Sequence, residues 1–343
     1  MRVKVGVIGA SGYAGAELLR LLVGHPELDV VLAQAESAAG SQLGVLYPAL
    51  GGAYRDLELG PVDPTAVGGL DAVFCCLPSG HAHKLVPQLL EYAALVVDLS
   101  ADFRLKDPVA YEQWYGFEHA SPELLAEAVY GLPELNREAL TASPPPRLVA
   151  APGCYVTAAA LALAPLVGAG AIEPHGVIVD AASGLSGAGR HPSETTHFSA
   201  VNDGFSAYGL LTHRHTPEIE QVTGAEVLFT PHLAPMTRGI LATCYARPSA
   251  GATATADPED VVKQAYLGEP FVRIVDEPPS TRDTLASNNC HIAVRHDPRT
   301  GWVVVLSALD NLVKGAAGQA LQAANAALGL PERLGLPLVG LVP

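Results

Sequence analysis

Cys154 stands in the string Pro152-Gly153-Cys154-Tyr155-Val156-Thr157, with an apolar run on either side of it. A Pro-Gly turn between a strand and a helix puts a sulfur at the helix N-terminus, where a thiol's pKa falls and the atom stays accessible. A nucleophile needs that placement, although a lone cysteine is as often a packed structural thiol. Cys75, Cys76 and Cys244 lie in apolar strand-like runs and read as structural. The second chemical string is Thr212-His213-Arg214-His215-Thr216-Pro217-Glu218-Ile219, with Pro217 where a helix can begin. Imidazole moves protons near neutral pH, so either histidine beside the thiol would complete a Cys–His pair. His-X-His also suits a metal. No further cysteine or histidine lies nearby at ligand spacing, so no metal is expected.

Two strings suit an anion. Ser183-Gly-Leu-Ser-Gly-Ala-Gly-Arg190 joins tight-turn glycines, hydroxyls and a guanidinium, though a loop without function reads similarly. Ala101-Asp-Phe-Arg104 follows an apolar strand, and ligands of open parallel sheets gather at strand carboxyl ends. Near the start, Gly9-Ala10-Ser11-Gly12-Tyr13-Ala14-Gly15 follows a buried-type strand and opens a leucine-rich helix. Small residues there let a pyrophosphate approach the backbone, and the helix N-terminus adds N–H groups and partial positive charge.

The elements that must position these residues follow from the apolar pattern. Strands are expected at Val3–Ile8, Val30–Ala33, Ala72–Leu77, Leu95–Leu99 and Arg147–Ala151, separated by helix-sized segments. That alternation indicates a parallel, doubly wound sheet. Helices are expected at Ala16–Val23, Val156–Val167 and Gly315–Leu328. Later strands, at Val177–Asp180, Glu226–Thr230, Ile240–Ala246, Phe271–Val275 and Val303–Ala308, have few helices between them and favour antiparallel pairing. Three prolines in Ala142–Pro146 make the nearest thing to a linker.

Composition bounds the partners. The chain has 343 residues, enough for two domains, with 20 basic and 35 acidic side chains. A net charge of −15 repels phosphate backbones and anionic lipid, so neither nucleic acid nor a membrane is expected as a partner. The apolar stretch Ala158–Ala171 is too short to span a bilayer and is broken by Pro165. Five cysteines, two of them adjacent, suggest reduced thiols and a cytoplasmic location.

Taken in order, GASGYAG, DLSADFRL from Asp98, YGLPEL from Tyr130, PGCYVT, SGLSGAGR, HRHTPEI, RGILAT from Arg238 and DNLVKGAAGQA from Asp310 resemble the N-acetyl-gamma-glutamyl-phosphate reductases. The resemblance spans essentially the whole chain. It implies an α/β fold: a Rossmann-type domain, 1–150 completed by a C-terminal helix in 312–343, plus an α+β catalytic and oligomerisation domain, 151–311, of the glyceraldehyde-phosphate dehydrogenase-like type. The implied reaction, in arginine biosynthesis, reduces a small acyl phosphate with NADPH through a cysteine thioester, in a homo-oligomer (dimer or tetramer).

The resemblance also implies residue roles. Cys154 would be the nucleophile, His215 the acid and base, and Glu218 its orienting carboxylate; Arg104, Ser183, Arg190 and His213 would hold the substrate. Gly9, Ser11, Gly12, Tyr13, Ala14, Ser37, Leu77, Pro78, Gly187 and Asn311 would meet the cofactor. After the second strand, where some members carry arginines, this chain has Glu36, Ser37 and Ser41. Glu36 lies where an NAD-type carboxylate would sit, whereas the serines suit a 2′-phosphate. The alternative is the lysine-pathway reductase of a carrier-linked aminoadipate phosphate. Those relatives tend to carry Asn where this chain has Tyr155, and tend to lack the SGxSGAGR string.

Overall fold

The apolar run after Arg2 becomes β1 (Val3–Ile8), and its glycine turn leads directly into the helix Tyr13–Val23. The computed structural model describes residues 2–250 and 257–342. Then come β2 (Leu28–Gln34), β3 (Ala72–Cys75), β4 (Leu95–Asp98), β5 (Val129–Tyr130) and β6 (Leu148–Ala150). They form one sheet in the order β2-β1-β3-β4-β6-β5, parallel throughout. Every residue of β3 and β4 is buried, as a parallel sheet covered on both faces requires. The chain turns outward from β1 to β2 and then crosses to β3 on the other side of β1. That reversal opens a crevice at the carboxyl ends of β1 and β3.

The chain divides into two compact units, Met1–Pro152 with Ala316–Leu336, and Gly153–Gly315 with Pro337–Pro343. The returning helix Gly318–Ala327 is buried at every residue. Inside the first unit its Gln319 donates to the Gly131 carbonyl, and Asn325 donates to the carbonyls of Glu332 and Leu334. The expected division differs in detail, because 151–152 group with the first unit and 312–315 and 337–343 with the second. Hydrogen bonds to the tail's main chain explain the difference there. Asn288 N donates to Pro337 O, Asn289 Nδ2 to Leu338 O and Leu341 N to Leu285 O.

The second unit holds β7 (Val177–Ser183), β8 (Ser206–Ala207), β9 (Val227–Leu233), β10 (Ile240–Ala246), β11 (Val272–Ile274), β12 (Cys290–Asp297) and β13 (Trp302–Leu309). Their order is β11-β12-β13-β10-β7-β9-β8. The expectation of antiparallel pairing throughout is corrected here. β7 runs parallel to β9 along its whole length, and β11 runs parallel to β12. The segment between β7 and β9 carries the helix Thr216–Thr223, so it is a crossover and not a hairpin. The helix Cys154–Gly168 packs on β10 and β13. Residues 155 to 163 of that helix are buried all round, which its uniformly apolar sequence requires.

Candidate active site

In the second unit Cys154 is the first residue of its helix, with Gly153 in extended backbone as the N-cap and no side chain capping that end. The sequence reading of the PGC turn is thus realised, and the sulfur's residue is only partly buried. The helix Thr216–Thr223 packs against the Cys154 helix. His215 is the N-cap of that second helix, and Pro217 stands in its first turn. A methyl group on Gly153 would lie 2.5 Å from His215 Nε2, so the imidazole rests on the bare Cα next to Cys154. Gly153 is therefore required for the approach of the ring and not for any unusual φ.

Glu218, fully buried one turn into the same helix, accepts the Gly153 N–H at 3.0 Å. One carboxylate thus ties the turn before Cys154 to the helix that carries His215. His213 joins by its Nδ1, which accepts the His215 N–H at 3.1 Å. That bond leaves the proton of the neutral ring on Nε2. The His213 ring meets Tyr155, Tyr208 and Phe229 edge-on, with centroids 5.7, 5.4 and 5.2 Å away. Burial, helped by the Arg214 charge, pushes its pKa down to about 4. His213 is therefore neutral at pH 7 and can offer an anion an N–H but no charge.

Tyr155 OH donates to the His232 carbonyl and receives the Tyr208 hydroxyl, while burial pushes its own pKa up. Ser183 is buried at the end of β7 with its hydroxyl on the Gly184 carbonyl. Asn311 is also buried. Its Oδ1 accepts Gly239 N and its Nδ2 donates to Ser186 Oγ, so it ties the Ser183–Arg190 string to the turn before β10. Gly187 stands beside it, where a methyl group would lie 3.0 Å from Ser183 Oγ. Arg190 is exposed on the loop beyond, outside this buried cluster.

The remaining site candidates lie in the first unit. Gly9 has φ +83°, and a methyl group there would lie 2.3 Å from the Cys76 carbonyl oxygen. One on Gly15 would lie 2.5 Å from the Gly9 carbonyl oxygen. Both glycines are needed to close the turn. The helix begun by Tyr13 and Ala14 has Gly12 as its N-cap, no capping side chain and no acidic residue in its first turn. An anion suits that end. The Ser11 carbonyl accepts the Tyr47 hydroxyl, which steadies the loop. Leu77 and Pro78 follow β3 at the crevice. Ser37 is exposed after β2, and beside it Glu36 Oε2 accepts the Val62 N–H at 3.3 Å.

Arg104 is the candidate whose surroundings differ most from expectation. It is buried, and its Nε and Nη2 donate to the carbonyls of Ala151 and Leu99, bracing the ends of β6 and β4. The rest of its string is also used inside this unit. Asp102 accepts the N–H groups of Gly80 and His83, capping the helix Ala82–Tyr92. Asp98, held by Ser100, has its pKa raised to about 7 by burial and by Asp102.

Sequence reasoning did not single out Gly153, Tyr155, Tyr208 or Gly315 as site residues. Gly153 and Tyr155, inside the PGCYVT string, and Gly315, inside the DNLVKGAAGQA string, carried signals that could have found them. Tyr208 meets Tyr155 through packing between distant segments.

A family model described as "Semialdehyde dehydrogenase, NAD binding domain" matches residues 4–143, and one described as "Semialdehyde dehydrogenase, dimerisation domain" matches 154–311. N-acetyl-gamma-glutamyl-phosphate reductase of Symbiobacterium thermophilum is 51% identical, over 98% of both chains. That of Desulforudis audaxviator is 47% identical over 99% of this chain and 100% of its own. In fold the chain is similar to aspartate semialdehyde dehydrogenase II of Vibrio cholerae, with TM-score 0.71 and 18% identity, covering 96% of this chain and 99% of that one. The Candida albicans aspartate semialdehyde dehydrogenase solved with NADP gives 0.69 at 16% identity, covering 96% of this chain and 99% of that one.

Proposed function

Because the chain belongs to the N-acetyl-gamma-glutamyl-phosphate reductase family, we propose that it reduces N-acetyl-gamma-glutamyl phosphate to the semialdehyde through a thioester on Cys154. The observation that carries this reading is the His215 imidazole seated on Gly153, one residue before a cysteine at an uncapped helix N-terminus. His215 takes the thiol proton as sulfur attacks the acyl carbon, and phosphate departs carrying a proton. The nicotinamide, when bound, supplies hydride to the thioester carbon. The tetrahedral oxyanion then collapses, releasing the aldehyde, and a proton returned through His215 restores the thiol. The reaction consumes one proton overall.

Glu218 and His213 are positioning groups in this scheme, and Ser183 and Arg190 contact the substrate. Arg104 braces the ends of β4 and β6. The turn closed by Gly9 and Gly15 fits a dinucleotide, because the helix that follows starts at Gly12 with no capping side chain and leaves its N–H groups to a phosphate. NADP is the cofactor of this reading. Glu36 is engaged with the main chain of Val62, which leaves Ser37 to receive the 2′-phosphate.

The face of the second sheet opposite the Cys154 helix supports a homo-oligomer. Val304, Tyr245, Ile178 and Leu228 stand in one row across β13, β10, β7 and β9. All four are at least partly exposed. Among the described residues no helix is long and apolar enough to cross a membrane.

A substrate panel tests the activity. Phosphate-dependent reduction of NADP and of NAD is followed with N-acetyl-glutamate, glutamate and aspartate semialdehydes. The reading requires the acetylated substrate and NADP to be preferred. Preference for aspartate semialdehyde would overturn it.

A further inference from the structure

The segment after β13 departs from regular geometry beside the nucleophile. Val313–Ala317 is a π-helical turn, closed by a bond from Gly315 N to Asp310 O at 2.9 Å. Buried Asp310 builds this turn. Its Oδ1 accepts the N–H groups of Leu312 and Val313, and its Oδ2 accepts that of Ala286. Arg238 Nη1 stands 3.6 Å from the same carboxylate. The extra residue of a π turn pushes one position out of the helical line, and such turns recur at functional sites. Gly315 lies inside this turn. A methyl group on it would lie 2.8 Å from Cys154 Cβ, 3.3 Å from Cys154 Cα and 3.3 Å from Leu309 Cδ1.

Glycine is among the least favoured helix residues, and Gly315 is not among the glycines with positive φ. Backbone conformation does not explain it; the contact with Cys154 does. Gly153 admits His215 to the backbone beside the nucleophile, and Gly315 admits the π turn to the nucleophile's own Cβ. We propose that Gly315 is a positioning residue for the proposed reaction: its bare Cα is the seat that fixes where the Cys154 side chain stands relative to His215. This rests on the reading of Cys154 as nucleophile.

The test compares Gly315→Ala with Gly168→Ala, a change at the far end of the Cys154 helix where an added methyl meets open space. The alanine at 315 must displace Cys154. We expect kcat to fall on the order of 10²-fold, the scale of an ångström misplacement, with cofactor Kd unchanged. The pH profile of iodoacetamide alkylation at Cys154 should also move. Gly168→Ala should leave all three unchanged. A double-mutant cycle separates positioning from simple crowding. Gly315→Ala should lower Tm when Cys154 is present and no longer do so in a Cys154→Gly background, where the clashing Cβ is gone. A Gly315→Ala enzyme with kcat within twofold of wild type overturns the proposal, as does one that fails to fold, since the glycine would then serve the fold and not the thiol. An active Cys154→Ala enzyme would instead sink the reading on which the proposal rests.

Discussion

His213 and His215 are separated by one residue, yet their surroundings differ. His215 touches the backbone beside Cys154, whereas His213 is a neutral ring whose Nδ1 holds the His215 amide. Steady-state kinetics should therefore show His215→Asn lowering kcat by ~10²–10⁴-fold, the usual worth of a positioned acid–base group, and His213→Asn by much less. The reverse order would exchange their roles. Burial also makes His213 a liability in acid. Its folded pKa of about 4 lies below the ordinary value of 6.5, so the unfolded chain takes up its proton first. Its neutral burial costs nothing above pH 6.5, and stability is lost as pH falls from there toward 4. Urea midpoints at pH 7.5 and 5.0 should drop more for wild type than for His213→Gln, and equal drops would contradict the assignment. Of these residues, Cys154 was legible as a candidate in its PGC turn, whereas the residues alone left His213 and His215 open and the resemblance chose between them. Tyr208 was not legible, and Gly315 stood in the DNLVKGAAGQA string with nothing local to give its role. Their roles exist only once segments far apart in the chain meet.

The turn from β1 into the helix Tyr13–Val23 shows an element fixed by missing side chains. Gly15→Ala would place a methyl 2.5 Å from the Gly9 carbonyl oxygen and force the helix away from the strand. Calorimetric titration should show NADP binding weakened at least tenfold, while iodoacetamide still alkylates Cys154 at the wild-type rate, because the two residues belong to different units. Unchanged NADP affinity would mean the glycine turn is not the cofactor's seat. Strand–helix alternation made the first sheet readable, since its buried strands are continuous apolar runs. The second sheet was harder. β12 was missed because His291, Arg295 and His296 interrupt its apolar pattern. The parallel pairing of β7 with β9 was missed because a crossover carrying an eight-residue helix looks locally like a loop.

For the molecule as a whole, an apolar row on a surface with net charge −15 marks where two copies would meet without repulsion. Tyr245→Asp, in the middle of that row, should shift sedimentation toward a smaller species at micromolar concentration. An unaltered assembly would place the interface elsewhere. The two units divide the proposed labour, one binding the dinucleotide and the other carrying the covalent chemistry, so the chemical half can be observed without the cofactor. The most direct measurement is intact-protein and peptide mass spectrometry after mixing the enzyme with N-acetyl-gamma-glutamyl phosphate in the absence of NADPH. The account predicts one hydroxylamine-labile acyl group per chain, on the peptide containing Cys154, and none on Cys154→Ala. An adduct at another residue, or turnover of the acyl phosphate with no adduct at all, would contradict it.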